Sequence, residues 1–209
     1  SAPACNDCHG NHGAAPPGVR DVTVVCGTCH GRVAELFNAS EMKTGMETMG
    51  KRGCVTCHGN HDIRRASDDM LAVAAPGLCG DCHEPGSEAE KGTAAIVDGF
   101  HGLKADVARA DSLLKAAEVL GMETTAGHAL LREADDQVIG VRAVLHSFDS
   151  KLVGTAISEG RQLASKASSA GESALRDWRM RRLGMALSLV VILVMMTLLI
   201  LRIRSLEGH

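Results

Sequence analysis

Tyrosine is absent from the 209 residues, and one Trp with three Phe are all the sequence has of Phe, Trp and Tyr. So few rings exclude an ordinary aromatic core from the N-terminal hundred residues. Cysteine is missing beyond Cys82, although eight precede it, so at least two organisational units follow one another. Neither sign of charge dominates: Lys and Arg number 22, Asp and Glu 25, for a net charge of −3. With no basic arm and no interleaving of basic and aromatic residues, a nucleic-acid partner is excluded. Apolar runs of membrane-spanning length are lacking everywhere but near the C-terminus.

What is present is a spacing. All eight cysteines fall in four Cys-x-x-Cys-His runs: Cys5, Cys8 and His9; Cys26, Cys29 and His30; Cys54, Cys57 and His58; Cys79, Cys82 and His83. Paired Cys-x-x-Cys motifs alone would also suit two zinc ribbons. A histidine behind the second cysteine four times out of four argues otherwise, because the overall His content gives that pattern by chance about five times in a million. Disulfides give no reason for the His either. The spacing is that of c-type haem attachment: two thiols reach the two vinyl groups of one porphyrin, and the imidazole behind them is the proximal ligand to iron. Four covalently bound haem c groups are expected, with His9, His30, His58 and His83 as proximal ligands. They also supply the core that the composition withholds, with loops rich in Gly and Pro wrapped around them.

The motifs are duplicated. CNDCHGNH at Cys5 matches CVTCHGNH at Cys54, and CGTCHG at Cys26 matches CGDCHE at Cys79, offsets of 49 and 53 residues. Two repeats, 1–50 and 51–86, each holding a haem pair, follow from this. Between them, 35–49 reads as one short helix with Met42, Met46 and Met49 on a face that packs against porphyrin.

From Ser87 the composition turns to Ala, Leu, Glu and Lys. Ser87 and Glu90 form a capping box that opens a helix running to about Leu120 through Ile96, Leu103, Val107, Leu114 and Ala117. Gly121 stops it, and Thr124 or Thr125 caps an antiparallel second helix through Leu130, Ala134, Val138, Val141 and Leu145. A third helix, capped at Asp149 or Ser150, follows Leu152, Ala156, Leu163, Ala167 and Leu175, with Gly154, Gly160 and Gly171 expected to interrupt its rigidity. The run 183–201 holds nineteen residues without a charge between arginine pairs, enough at 1.5 Å per residue to span about 30 Å of hydrocarbon. The predicted organisation is a tetrahaem domain at 1–86, a helical hairpin or stalk at 87–178, and an anchor with a short tail at 179–209. The fold class is mainly α, with a loop-rich multihaem domain and a single C-terminal transmembrane helix.

The opening Ser1-Ala2-Pro3 reads as a mature N-terminus after removal of a signal. Arg176, Arg179, Arg181 and Arg182 before the span outnumber Arg202 and Arg204 after it, which by charge alone puts the haem domain on the cytoplasmic side. Haem attachment to thiols overrides that rule. The expected location is the bacterial inner membrane, single-pass, with the haem domain in the periplasm and the arginines meeting lipid phosphates or an acidic partner subunit.

Sixth ligands come from the other histidines. His209 follows the span and is excluded. His12 and His61 occupy equivalent places in the two repeats, each three residues past a proximal His, and suit a neighbouring haem better than their own. His101 and His146 stand at one level of the antiparallel hairpin, about 30 Å from its turn and near the haem domain, whereas His128 falls near the tip. The distal set is therefore His12, His61, His101 and His146. Four bis-histidine irons have low potentials and no vacant position, so they move electrons without binding substrate. No catalytic residue is assigned.

On these motifs the chain resembles multihaem c-type cytochromes, especially the tetrahaem and class III-like group, over roughly Ser1 to Glu84. The resemblance implies electron transfer between haems. Membrane tetrahaem quinol dehydrogenases usually carry an N-terminal anchor; a C-terminal one is more similar to the cytochrome subunit of bc-type complexes. The expected function is thus that of a subunit in a quinone-linked respiratory or photosynthetic complex, with membrane protein subunits, the lipid bilayer and a redox partner protein as partners. The alternative is a multihaem reductase of a small nitrogen compound or oxyanion, which requires one open haem with acid–base groups above it.

Overall fold

The computed structural model describes residues 3–10, 22–63 and 65–207, among which there are helices and 3-10 turns but no strand. This is the mainly α, loop-rich class expected. Five short helices come first: α1 (Cys5–His9), α2 (Val22–Gly27), α3 (Gly31–Asn38), α4 (Glu41–Thr48) and α5 (Gly53–His58). Three long ones follow: α6 (Glu88–Val119), α7 (Thr125–Val144) and α8 (Ser150–Glu207). The chain forms two compact units, one of residues 1–105 with 133–162, the other of 106–132 with 163–209.

In the first unit the short helices are short for local reasons. Gly10 and Gly59 sit at φ 76° and 74°, directly behind His9 and His58, a conformation that ends the helix at the motif histidine and that a side chain would oppose. The single helix expected over 35–49 is instead two, α3 and α4. Ser40 makes the break: its hydroxyl donates to Phe37 O at 2.7 Å and accepts from Lys43 N at 3.3 Å, competing with the helix ladder on one side and capping it on the other. Of the three methionines, Met46 is buried while Met49 is mostly exposed.

Leu36, Phe37, Met46 and Val73 form the apolar interior of the motif-bearing segment. Its 70–79 loop is closed by Leu78 N donating to Met70 O and Cys79 N to Ala72 O. On the long helices of the same unit, Phe100, Leu103, Val141 and Val153 are fully buried, with Lys104 Nζ and the Arg142 guanidinium 5.1 and 5.8 Å from the Phe100 ring. Each such side chain contributes about 1.5–3 kcal/mol by burial. On α8 the buried residues are Val153 and Ile157, one position on from the expected Leu152 and Ala156; Leu152 is exposed.

In the second unit α6 ends as the sequence predicts. Met122 N donates to Ala117 O and Gly121 N to Glu118 O, with Gly121 at φ 74°, the paired bonds of a Schellman stop. Val107, Ala110, Leu114, Ala117, Leu131, Ala164, Ala167 and Ala174 are buried. Glycines here are contact points and not interruptions. A Cβ on Gly171 would lie 2.9 Å from Leu113 Cβ and 3.1 Å from its backbone carbon, so the missing side chain lets α8 approach α6 closely. Helix α8 runs unbroken through Gly154, Gly160 and Gly171. It starts where expected, with Asp149 Oδ1 accepting from Lys151 N and Leu152 N. Its apolar run is exposed throughout and is long and apolar enough to cross a membrane.

Candidate haem-binding site

Each motif occupies one turn. In α1 the chain bonds Gly10 N to Asn6 O, in α5 Gly59 N to Val55 O, and in the other two motifs His30 N to Cys26 O and His83 N to Cys79 O, all between 2.8 and 3.0 Å. Residues three apart on such a turn share a face, so both thiols of a motif lie side by side. Among the described residues no three His, Cys, Asp or Glu side chains converge as a zinc site would need.

Two motif histidines face a second imidazole. The rings of His9 and His61 have centroids 5.9 Å apart and planes 14° from parallel; those of His58 and His146 are 6.1 Å apart at 25°. These separations are too large for ring contact. Each pair leaves room for a metal atom, and its two imidazoles would be the groups to hold a haem iron there. His61 thus lies opposite the motif histidine of the other repeat.

His146 is held by its own segment. It lies on the 3-10 turn Leu145–Ser147, with Nδ1 3.0 Å from Arg142 O. An Nδ1–H donated to a carbonyl leaves Nε2 with the free lone pair, the arrangement found behind metal-bound histidines. The next residue but one, Phe148, adopts φ 51° and sets its ring edge-on to Phe37, centroids 6.4 Å apart. The turn is therefore pinned to α3.

The other expected ligands are placed differently. His101 is half exposed, with Nε2 3.4 Å from Asp68 Oδ2, which also accepts from Lys104 Nζ. Burial raises the Asp68 carboxyl, but the Lys104 bond and the charges of Lys104, Arg142 and His101 bring it below its ordinary value. Arg65, Ser67, Asp68, His101 and Arg142 line an open cleft of about 350 Å³. His128 lies in the second unit, 3.5 Å from Glu118 Oε2. His12 and His209 fall outside the described residues.

Electrostatic coupling reveals which motifs are neighbours. The Cys57 thiol is pushed up by burial, then by Cys79, Cys82 and Asp81, which puts the third motif beside the fourth. Burial also raises Cys79, with Cys82 adding to it. His58 is pushed down by burial, then by His146 and His30, which brings the second motif close to the third. The sequence held no sign of these adjacencies, because they depend on how the loops between motifs close. The Phe37–Phe148 contact was equally invisible, since it joins residues far apart in the chain.

Residues 1–84 match the sequence model of the Cytochrome c3 family. No curated protein and no solved structure matches the chain. The match supports a multihaem c-type cytochrome over that stretch, with covalently bound haem c and electron transfer as its chemistry.

Proposed function

We propose that this protein is a membrane-anchored tetrahaem cytochrome c that passes electrons from haem to haem as a subunit of a quinone-linked respiratory or photosynthetic complex. The observation that carries the reading is the fourfold Cys-x-x-Cys-His turn, two of whose histidines face a second imidazole at about 6 Å. Cys5 and Cys8, Cys26 and Cys29, Cys54 and Cys57, and Cys79 and Cys82 are the tethers; His9, His30, His58 and His83 are the proximal ligands.

Haem supplies one-electron exchange at an iron whose potential follows its axial ligands and surroundings. The chain's own residues tether it, orient it and exclude other ligands. His61 serves the His9 site. His12 and His101 are assigned to the sites of His30 and His83. For His101, support comes from the 68–79 loop: Asp68, which lies beside its ring, opens the segment whose bonds at Leu78 and Cys79 hold the fourth motif. Neighbouring motifs, second to third and third to fourth, suit hopping between adjacent centres. With two ligands at each iron, substrate binding is not needed and no enzymatic role is assigned. The exposed apolar run of α8 supports a single-pass anchor in the bacterial inner membrane, with the haem domain on the periplasmic side.

Isolation of the native membrane assembly tests the reading. Four covalent haems on this chain by intact mass, low-spin signals from all four, and a quinone-linked companion subunit are expected. A haem-free chain, or one that leaves the membrane at high salt and alkaline pH, would defeat it.

A further inference from the structure

Within the tetrahaem reading, on which it rests, we infer that His146 is the distal ligand of the iron held by Cys54, Cys57 and His58, so that an iron site inside the family-matched segment is completed from outside it. The match ends at residue 84, whereas His146 belongs to the turn between α7 and α8.

Four observations converge. His146 faces His58 at 6.1 Å with planes 25° apart, a spacing that leaves room for one metal atom between the two rings. Its Nδ1 is engaged by Arg142 O, which presents Nε2 as the ligating nitrogen and fixes the ring's rotation. Phe148, in the left-handed region where a non-glycine residue needs support, finds that support against Phe37. Phe37 in turn lies against the start of the third motif: a Cβ on Gly53 would meet Phe37 Cε1 at 3.1 Å. The route from ligand to motif is therefore continuous: His146, Phe148, Phe37, Gly53, Cys54. The helical segment forms part of the iron site and is not merely a stalk beneath it.

The pairing also breaks the symmetry of the duplication. His9 takes its second imidazole from the other repeat, while its counterpart His58 takes one from beyond both. The two sites can thereby differ in environment while sharing one ligand type, since the ring of His146 is held through Nδ1 by Arg142 O.

The test uses the full chain loaded with haem. In His146→Ala, one haem of four is expected to become high-spin in the electron paramagnetic resonance spectrum and to return to low-spin when imidazole is added. His146→Met, which retains a ligand and guards against loss of the fold, should raise one of four potentials and leave three where they were, because thioether ligation favours the reduced iron. His128→Ala, a change in the second unit, should leave all four low-spin. Four unaltered low-spin haems in His146→Ala, or four unaltered potentials in His146→Met, overturn the assignment while the tetrahaem reading stands. A wild-type chain without covalent haem overturns the reading itself.

Discussion

The imidazoles of His9 and His61 lie 5.9 Å apart, centre to centre, with their planes only 14° from parallel, although one comes from each half of a duplicated sequence. Replacing His61 with Ala should convert the haem at Cys5 and Cys8 to high-spin and leave the other three unchanged. Combined with the change at His146, the effect should add to two haems of four, since the two sites share no ligand. Spin quantitation on the haem-loaded protein checks both values.

Glycine substitutions separate packing from helix propensity. Gly171→Ala places a methyl group against the Leu113 backbone and should destabilise the helical unit by about 1–3 kcal/mol. Gly154→Ala meets nothing within 4 Å and should stabilise α8 by roughly 0.5–1 kcal/mol. Opposite shifts in the midpoint of thermal unfolding, followed by circular dichroism in detergent, are the expected outcome.

Phe148→Ala removes an edge-on ring contact worth about 0.5–1.5 kcal/mol. Its larger consequence should be at iron, because the turn that carries His146 loses its attachment to α3. Exogenous imidazole or cyanide should bind one haem of the variant more readily than it binds the wild type, with Phe37→Ala behaving alike. Equal ligand-binding curves for variant and wild type would show that Phe148 does not position His146.

The Glu123 carboxyl is held below its ordinary value of 4.5 by bonds to Thr125, side chain first and backbone second. A depressed folded value means that its contribution is fully present above 4.5 and is lost as pH falls through the lowered value. The melting temperature of the wild type should therefore decline more steeply on acidification than that of Glu123→Gln. Parallel declines would dismiss the bond as a contributor.

How legible was this in the sequence? The cap at Asp149 and the stop at Gly121 are local chemistry, set by residues within a turn of one another, and are legible in the sequence. The break at Ser40 was missed because a serine inside an apolar rhythm reads as helix until its hydroxyl is seen to bond Phe37 O. At the start of α8 the buried residues are Val153 and Ile157, one on from Leu152 and Ala156, because the larger Leu152 attracts the reading; further along, Ala167 is buried as expected. Gly160 and Gly171 looked like weaknesses in a helix considered alone; they become contact points once a neighbour is present. Ligand pairing was least accessible, since His58 and His146 are joined by loop closure and aromatic contact and not by any pattern along the chain.

That last separation has a temporal side. His61 lies three residues past the third motif, so on the periplasmic reading the site at His9 could close once the two repeats have crossed the membrane. The site at His58 must wait for His146, through the whole of α6 and α7. A haem tethered at Cys54 and Cys57 would be without His146 until α6 and α7 had followed, so this site would be the later of the pair to be completed.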